Sequence, residues 1–401
     1  MILKDTLLKI VHAQQEGIKV PETTIARELK EALNLKIPHA QIISGIRRCG
    51  KSTLLRHLMK QIKKWYYFNF EDQRVVGFEV SDFEKLNDTL VEAYGQQDCY
   101  FLDEIQNVPE WERFVRRMLD EGKKFVITGS NASLLSKELG TRLTGRHLTY
   151  ELFPFSYNEM LVFTSQKPSP DSYVDYSIRG GFPEFLKYNR NEMLQELFED
   201  IITRDIIVRY GIRESMILKQ LALYLISNLG KEFSYAALAK HFNLGSPNTI
   251  ISYISYFEDC YLLFPISKFE YSYKKQIVNP KKIYCIDVGL AQANSVSFSS
   301  DKGRILENVV FLHLRRQYGE IYYFKGKKEC DFIVKSRTKE LQALQVCYEL
   351  NDENKEREIG GVQEAMETLR IKRGVIITFQ QEDKIEGIKV LPVWKWLMRR
   401  S

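Results

Sequence analysis

The stretch Gly45 to Ser52 constrains this chain more than any other feature, because it reads G-I-R-R-C-G-K-S. It fits the pattern G-x-x-x-x-G-K-[ST], in which the glycines allow a tight turn and backbone N–H groups surround a polyphosphate. At this spacing Lys51 reaches the β- and γ-phosphates, and the Ser52 hydroxyl ligates Mg²⁺. The helix that follows directs the positive end of its dipole at the anion.

The neighbours of this loop favour the same interpretation. Residues 41–44 form a short apolar strand before it, and residues 53–59 after it have the apolar spacing of a helix. A purely structural glycine-rich turn is the alternative, and it does not call for a strand on one side and a helix on the other. We expect the following residues to contact a nucleotide: Gly45, Ile46, Arg47, Arg48, Cys49, Gly50, Lys51, Ser52 and Thr53.

Composition limits the class of protein. The chain has 401 residues, enough for two or three domains, and its 44% hydrophobic and 27% charged residues are typical of soluble globular proteins. No apolar run approaches the length of a membrane span, and the N-terminus lacks the regions of a signal peptide. Six scattered cysteines without a C-x-x-C pair predict reduced thiols in a cytoplasmic protein, with no zinc site. The net charge of +6 is compatible with nucleic-acid binding.

A second nucleotide signature lies about 50 residues after the loop. Residues 65–70 alternate and are aromatic, which predicts a strand, and residues 81–94 have helical spacing. The apolar run 99–102 then ends in two carboxylates, Asp103 and Glu104. At the carboxyl end of a strand, Asp103 is positioned to hold Mg²⁺ through water or Ser52, and Glu104 to polarise the attacking water.

Polar residues after the next strand extend the predicted site. Residues 124–128 form a buried strand, followed by Ser130 and Asn131, which can sense the γ-phosphate or orient water. The alternative for both is a plain turn with a helix N-cap. Arg142 and Arg146 come next, and either can enter the nucleotide site of a neighbouring subunit, where an arginine stabilises transition-state charge. The alternative is that both arginines are solvent-exposed loop residues.

Residues from about 20 to 165 resemble the ATPase domain of AAA+ superfamily proteins that carry a C-terminal DUF4143 region. The resemblance rests on G-I-R-R-C-G-K-S-T-L, F-L-D-E-I-Q, T-G-S-N and the stretch from Gly145-Arg146 to Phe155-Ser156. It implies an α/β fold of the P-loop NTPase (ASCE) type, with a parallel sheet of strand order 5-1-4-3-2. It also implies ATP and Mg²⁺ as cofactors, since the N-K-x-D motif that reads guanine is absent.

The resemblance extends to a lid and to assembly. In related ATPases a glycine-x-proline segment packs near the adenine, and Gly181-Phe182-Pro183 resembles it, with Arg179 near enough in sequence to approach the phosphates. A simple interdomain turn is the alternative. An arginine that acts in trans implies a homo-oligomer, for example a hexameric ring.

Residues 215–279 have the pattern of a winged helix-turn-helix. Three predicted helices are followed by two segments, 262–266 and 271–276, that we expect to form a β-wing. In such modules the third helix enters the major groove of DNA. The residues expected to face DNA are Asn248, Thr249, Ser252 and Tyr253 on that helix, and Lys274 and Lys275 on the wing. The alternative is a scaffold module without DNA contact, because the predicted reading helix has no Arg or Lys.

Residues 280–401 resemble the PD-(D/E)xK nuclease fold. Glu307 on a helix and Asp331 on a strand match two of its metal-binding acids, but Gln345-Val346-Cys347 stands where E-x-K belongs. Because one carboxylate and the activating lysine are missing from that motif, we expect a retained fold that docks DNA or subunits rather than a nuclease.

These patterns divide the chain into four parts. We expect an ATPase domain with an N-terminal helical segment (1–165), a helical lid or linker (166–214), the winged helix-turn-helix (215–279) and the nuclease-like α/β domain (280–401). The favoured function is ATP hydrolysis coupled to binding or remodelling of DNA, for example branched DNA. The alternatives are a nucleotide-gated DNA-binding or signalling switch with little turnover, and an ATP-dependent nuclease.

Overall fold

The chain forms two compact units, one up to Phe153 and one from Pro154 onward. The computed structural model describes residues 2–18, 24–132, 142–143, 145–296, 301–336 and 338–399. The boundary differs from the expected one at residue 165, because the helix Tyr157–Thr164 packs on its successor in the second unit.

The first unit is built on a five-stranded parallel sheet. Its described helices and strands are α1 (Lys4–Glu16), β1 (Ala40–Ser44), α2 (Lys51–Met59), β2 (Trp65–Asn69), α3 (Asp82–Tyr94), β3 (Cys99–Asp103), α4 (Trp111–Asp120), β4 (Lys124–Gly129) and β5 (His147–Glu151). Short 3₁₀ turns lie at Glu28–Ala32, Gln73–Val75 and Ile105–Asn107. The strand order β2-β3-β4-β1-β5 confirms the expected order 5-1-4-3-2.

The sequence of the central strands explains why the sheet is parallel and covered on both faces. All residues of β1 and β3 are buried, as expected for parallel strands with helices on both sides. Aromatic rings fix one of these helical layers: Phe83 of α3 stacks on Phe114 of α4 at 4.7 Å, and Tyr100 of β3 stacks on Phe125 of β4 at 5.0 Å. The carboxyl ends of β1, β3 and β4 therefore meet at one rigid edge.

The second unit contains helices and a nine-stranded mixed sheet. Its helices are α5 (Tyr157–Thr164), α6 (Pro170–Arg179), α7 (Pro183–Tyr188), α8 (Asn191–Asp200), α9 (Ser215–Ile226), α10 (Tyr235–His241), α11 (Pro247–Asp259), α12 (Tyr273–Val278), α13 (Val288–Asn294), α14 (Lys302–Gln317), α15 (Lys355–Leu369) and α16 (Val393–Trp396). A π-helical stretch, Ile201–Val208, continues α8. The strands are β6 (Glu232–Phe233), β7 (Leu263–Lys268), β8 (Lys281–Cys285), β9 (Glu320–Lys325), β10 (Glu329–Lys335), β11 (Leu341–Val346), β12 (Gly374–Thr378), β13 (Asp383–Ile385) and β14 (Ile388–Pro392).

The two regions expected as separate domains share this sheet. Its order is β13-β14-β12-β11-β10-β9-β7-β8-β6, so β7 pairs in parallel with β9, Ser267 opposite Tyr322. β6, β7 and β8 form an antiparallel group at one end, preceded and interrupted by α9, α10 and α11. The expected boundary between residues 279 and 280 therefore passes through a continuous sheet.

The segment expected as the second wing strand is a helix. Residues 271–276 were expected to be extended, but α12 occupies Tyr273–Val278, and β8 is the strand that pairs with β7. Backbone hydrogen bonds from Gln276 to Ser272 and from Asn279 to Lys275 satisfy the segment locally. Since Tyr273, Ile277 and other side chains of α12 are exposed, the segment has no buried face of the kind that fixes a strand.

Within the described residues, no helix is both long enough and apolar enough to cross a membrane.

Candidate active site

The loop between β1 and α2 has the backbone that the glycines predict. A Cβ at Gly45 would lie 2.1 Å from the carbonyl oxygen of Leu152, so only glycine fits there. Gly50 has φ of 101° and Arg48 has φ of 61°, which bend the chain sharply before α2 begins at Lys51. Ile46 and Cys49 point into the core, and these two side chains therefore support the loop.

The Lys51 ammonium lies inside this loop. Its Nζ donates to the carbonyl oxygens of Gly45 at 3.0 Å and Ile46 at 3.3 Å, and it lies 3.2 Å from Glu104 Oε1. Its side chain is 4% exposed. Burial by itself lowers the pKa of Lys51, but the charges of Glu104, Cys49 and Asp103 and the hydrogen bond to Glu104 together raise it. Lys51 is therefore a charged side chain at the position expected for phosphate binding.

Asp103 lies at the carboxyl end of β3 and is surrounded by hydroxyl groups. Tyr67 donates to its Oδ2 at 3.1 Å, Thr128 donates to its Oδ1, and the Ser52 side chain is also hydrogen-bonded to it. Burial, followed by the charge of Glu104, raises the pKa of Asp103. Ser52 and Asp103 together offer the hard oxygen donors that Mg²⁺ prefers, and a cation would relieve the cost of this buried carboxylate.

Glu104 follows in a left-handed conformation with φ of 54°. Its backbone N–H donates to Thr128 Oγ1 at 3.1 Å, and its carboxylate accepts from Gln106 Nε2 at 2.6 Å. Although burial raises the pKa of Glu104, the Lys51 ammonium, the hydrogen bond from Gln106 and the charge of Arg47 together lower it. The Glu104 carboxylate is therefore held by Lys51 and Gln106, and its charged form is favoured directly beside Asp103.

Ser130 and Asn131, the expected sensors, are both buried at the end of β4. Ser130 Oγ accepts from Gln106 Nε2 at 3.3 Å, which connects it to Glu104 through one side chain. The backbone oxygen of Asn131 accepts from Ser44 Oγ at 2.7 Å, which ties β4 to the start of the loop. Neither placement tests nucleotide sensing, which stays a prediction.

The arginines expected to act in trans lie beside α4. Arg142 Nη1 contacts Glu112 Oε1 at 2.9 Å, and Arg146 contacts Asp120; both arginine side chains are about half exposed, at 57% and 44%. Arg142 also lines a cavity of about 350 Å³ that contains Arg113 and Arg116. In the loop itself, Arg47 contacts Glu71 at 2.8 Å and Arg48 is exposed.

Four residues that support the site were not identified from the sequence: Arg27, Tyr67, Gln106 and Thr128. Tyr67 and Thr128 lie on strands next to β3, and Gln106 is two residues beyond Glu104, so a strand-end search around Asp103 would have found them. Arg27 carries no such signal, because it precedes β1 in a segment without a recognisable motif.

The expected lid residues are bonded within the second unit. The Gly181 N–H donates to Asp287 Oδ2 at 2.6 Å, and a Cβ at Gly181 would lie 2.2 Å from the Phe155 oxygen. Pro183 occupies the first turn of α7, and Arg179 Nη2 donates to the Leu186 oxygen at 2.6 Å. These contacts explain the residue types locally, and a role of Gly181 and Pro183 near adenine stays a prediction.

The expected DNA-facing residues of α11 divide into two groups. Asn248 is exposed, and Thr249 and Ser252 are half-buried. Tyr253 is only 6% exposed, so the expectation that it faces outward was wrong. The buried face of α11 consists of Ile250, Tyr253, Ile254 and Phe257, a spacing of three, one and three that assigns Tyr253 to the core. Lys274 and Lys275 are exposed, on α12 instead of a strand.

The nuclease-like acids surround a lysine from another strand. Lys282 Nζ, on β8, lies 3.0 Å from Asp331, 3.3 Å from Glu307 and 2.7 Å from Glu329. Its side chain is 4% exposed, and although burial opposes it, the charge of Asp331 and then Glu307 raises its pKa. Tyr284 donates to Glu307 Oε1 at 2.6 Å. Glu307 and Asp331 therefore accept hydrogen bonds from this ammonium, and Glu329 is an additional ion-pair partner.

Gln345 joins this group through its side chain. Its Oε1 accepts from the Asp331 N–H at 3.1 Å, and its Nε2 donates to Glu358 Oε2 at 2.6 Å. The structure thus brings together the two acids and the amide expected from the sequence, Glu307, Asp331 and Gln345. The sequence analysis did not predict Lys282 among them. No group of three or more His, Cys, Asp or Glu side chains in the described part of the chain is arranged to hold a metal ion.

Family models match nearly the whole chain. An AAA domain matches residues 38–161, a domain of unknown function (DUF8612) residues 170–300, and a domain of unknown function (DUF4143) residues 302–396. The uncharacterized protein MJ1544 of Methanocaldococcus jannaschii is 37% identical over 99% of this chain and 96% of its own length. An uncharacterized protein of Haemophilus influenzae is 28% identical over 90% of this chain and 94% of its own length.

Solved structures give weaker similarities. AMPPCP-bound DnaA from Aquifex aeolicus aligns with a TM-score of 0.30 and 16% identity, over 62% of this chain and 88% of that one. The Aeropyrum pernix ORC1 protein in complex with DNA aligns with a TM-score of 0.31 and 14% identity, over 73% and 92%. Both TM-scores are too low to transfer a ligand or a partner to this chain.

Proposed function

Because this chain belongs to the family of AAA-domain proteins with a C-terminal DUF4143 region, we propose that it binds and hydrolyses ATP with Mg²⁺. One observation supports the proposal most directly. The buried ammonium of Lys51 lies 3.2 Å from Glu104, and the Ser52 hydroxyl is hydrogen-bonded to the neighbouring Asp103. A phosphate-binding cation, two oxygen groups suited to bind Mg²⁺ and a general base are therefore within reach of one ligand.

Each of these side chains has a defined part in the proposed reaction. Lys51 exchanges its contacts with Glu104 and two carbonyl oxygens for phosphate oxygens. Ser52 and Asp103 would hold Mg²⁺, which supplies positive charge to the phosphates. Glu104, released from Lys51, accepts a proton from the attacking water, while Gln106 keeps its carboxylate oriented. Ser130, bonded to Gln106, is the residue best placed to report on the γ-phosphate.

Two substitutions test this assignment against a matched control. Lys51→Ala and Glu104→Gln should each abolish multiple-turnover hydrolysis, and Glu104→Gln should still bind ATP. Lys60→Ala, at the exposed end of α2, should retain the wild-type rate. Unchanged hydrolysis in both site variants would remove the assignment.

We further propose that subunits of a homo-oligomer share this site, with Arg142 or Arg146 acting in trans. Both guanidinium groups are exposed beside α4 and reachable by a second copy. Mixing two inactive variants tests the shared site. Subunits with Lys51→Ala should restore turnover to subunits with both Arg142→Ala and Arg146→Ala, because the first supply the arginine and the second supply the lysine of a complete site. Failure to restore turnover in a mixture whose mass shows mixed assembly would exclude the shared site.

We propose that the second unit binds duplex DNA. The order α9, β6, α10, α11, β7, β8 with an antiparallel three-stranded group supports the proposed winged helix-turn-helix. Asn248 and the half-buried Thr249 and Ser252 are polar groups at the start of α11, and Lys274 and Lys275 are exposed between β7 and β8. Exposed lysines there would contact DNA phosphates if the module binds a duplex.

The salt dependence of binding tests the DNA proposal. Replacing Lys274 and Lys275 by alanine should weaken duplex binding and lower the slope of log affinity against log salt by about two. Replacing the half-buried Lys335 and the exposed Lys395 together removes the same charge elsewhere and should leave the slope unchanged. Equal slopes for both double variants would contradict a DNA contact at α12.

A switch with little turnover is a second candidate that one contact favours. With Lys51 held by Glu104 and two carbonyl oxygens, the base and the phosphate-binding cation neutralise each other before ATP arrives. Multiple-turnover assays with duplex and branched DNA separate the two candidates. A motor accelerates on DNA, whereas a switch changes its DNA affinity with nucleotide at a constant low rate.

We propose that the C-terminal part is not a nuclease. Lys282 satisfies Glu307, Asp331 and Glu329 together, so a divalent cation would have to displace a buried ammonium. Plasmid and oligonucleotide cleavage with Mg²⁺ or Mn²⁺ tests this. Cleavage by the wild type that Asp331→Ala removes would restore the nuclease hypothesis.

A further inference from the structure

Arg27 is a buried cation on the outer side of the phosphate loop. It is 5% exposed and lies just before the 3₁₀ turn Glu28–Ala32. Its Nη1 donates to the Cys49 oxygen at 2.7 Å, and its Nη2 donates to the Phe153 oxygen at 2.6 Å. One guanidinium therefore links the loop to the last residue of the first compact unit.

The contact with Cys49 fixes the orientation of one peptide group. The Cys49 carbonyl and the Gly50 N–H belong to the same planar unit, and in a trans peptide they point in opposite directions. Because Arg27 holds the carbonyl, the Gly50 N–H points away from Arg27. No described residue accepts a hydrogen bond from that N–H. It is therefore a free donor at the start of α2, where an anion would lie.

This peptide needs an external restraint. Gly50 has φ of 101° and no Cβ, so rotation of the peptide before it meets little steric resistance. A rotated peptide would turn the Cys49 oxygen toward the phosphates, replacing an attractive group by a repulsive one. The Cβ position of Gly50 lies 3.3 Å from Arg27 Nη1, so the guanidinium packs directly against the residue whose conformation it restrains.

We infer that Arg27 is a positioning residue, which keeps the Gly50 N–H directed at the polyphosphate of the bound nucleotide. The inference rests on the proposed ATP binding and specifies which part of the ligand depends on Arg27. The Gly50 N–H is a preorganised donor to phosphate. It does not contact the adenine, so its loss should not depend on whether the ligand carries one. The same group serves the ground state and the transition state, so its loss acts on binding.

Nucleotide affinities of Arg27 variants test the inference. Arg27→Met should bind Mg·ADP, a non-hydrolysable Mg·ATP analogue and Mg·tripolyphosphate about tenfold more weakly than the wild type, by a common factor for all three, which is about 1.4 kcal/mol. The turnover number at saturating ATP should change less than KM. Arg27→Lys should lie between, since one ammonium does not present the planar fork that reaches both carbonyls.

Two further measurements separate positioning from folding. In Arg27→Ala, added guanidinium ion at low concentration should restore affinity, which a loss of packing would not allow. Arg113→Met, an exposed arginine paired with Glu110, is the control and should bind all three ligands as the wild type does. If Arg27→Met does not fold, Arg27→Lys and the rescue of Arg27→Ala decide alone.

The possible failures are distinguishable. A folded Arg27→Met with wild-type affinity, or one that loses affinity for ATP while retaining that for tripolyphosphate, overturns the inference and leaves the proposed function intact. Absence of ATP binding by the wild type overturns the proposed function, and the inference with it.

Discussion

Lys51 Nζ and Glu104 Oε1 are 3.2 Å apart, in side chains that are only 4% and 12% exposed. The pair joins the phosphate loop to the residue after β3 through a direct ionic contact. In the proposed hydrolysis its two members would have opposite tasks, since Lys51 would bind phosphate and Glu104 would activate water. The contact would therefore have to open before either residue could act.

Removing the carboxylate should strengthen nucleotide binding. In Glu104→Gln the Lys51 ammonium no longer exchanges an ionic partner for phosphate, so ATP affinity should rise about tenfold, which corresponds to about 1.4 kcal/mol. Titration with a fluorescent ATP analogue measures it. Glu121→Gln removes an exposed acid paired with Arg117 on α4, outside the loop, and is the control. Equal affinities of Glu104→Gln and wild type would show that the pair does not compete with ATP.

Thr128 should support both acids through one hydroxyl. Its Oγ1 donates to Asp103 and accepts from the Glu104 N–H, so Thr128→Val leaves a buried carboxylate and an N–H without partners. The free energy of unfolding should fall by about 1–3 kcal/mol in urea titrations. ATP turnover should fall as well, because the left-handed backbone at Glu104 loses its anchor. Thr128→Ser keeps the hydroxyl and should retain both; equal losses in Ser and Val variants would contradict the account.

The Lys282 cluster should be a strong contributor to stability. Lys282→Met leaves Glu307 and Asp331 buried without their counter-ion, and breaking a buried pair in this way costs about 3–5 kcal/mol. Chemical unfolding at neutral pH measures it. Lys335→Met, which breaks an exposed pair with Glu320, should cost about 1 kcal/mol or less. Similar losses in the two variants would mean that the cluster is no more important than a surface pair.

Glu307 should make the contribution of the Lys282 cluster to folding stability depend on pH. Burial, followed by the charge of Asp331, raises the pKa of Glu307 from an ordinary value of 4.5 to about 7, against the opposing charge of Lys282 and the hydroxyl of Tyr284. A carboxyl group with a higher pKa in the folded than in the unfolded state contributes stability that depends on pH. This contribution is complete below the unfolded-state pKa and is lost as the pH rises through the folded-state pKa. The difference in unfolding free energy between wild type and Glu307→Gln should therefore fall between about pH 4.5 and pH 7.

Unfolding curves at several pH values across that window test the pH prediction. Glu340→Gln, an exposed carboxylate in the same unit, is the matched control and should follow the wild type at each pH. A constant difference between wild type and Glu307→Gln would contradict the assigned titration.

The sequence predicts the sheet of the first unit and the position of its loop well for a physical reason. Gly45 to Ser52 and Asp103-Glu104 are local patterns at strand ends, and the strands before them, β1 and β3, are short, fully buried and largely apolar. The family resemblance added the strand order, which the sheet confirms.

Long-range contacts explain what the sequence did not predict. Arg27 contacts Phe153, more than a hundred positions away, and Lys282 reaches Asp331 from a distant strand, so neither pairing has a local signature. The prediction that Tyr253 faces outward is wrong because only packing decides which face of α11 is buried. The helix α12 arose where short exposed segments have no partner strand to enforce extension.

Calorimetric titration of the intact protein with a non-hydrolysable ATP analogue, in Mg²⁺ and in EDTA, tests the central claim most directly when wild type and Lys51→Ala are compared. We expect the wild type to bind one equivalent of the analogue, and to bind it more tightly in Mg²⁺ than in EDTA. We expect Lys51→Ala, shown by circular dichroism to be folded, to lose at least about a hundredfold in affinity, or about 2.7 kcal/mol. Equal affinities of the two proteins would contradict the claim that the loop from Gly45 to Ser52, facing Asp103 and Glu104, is the nucleotide site.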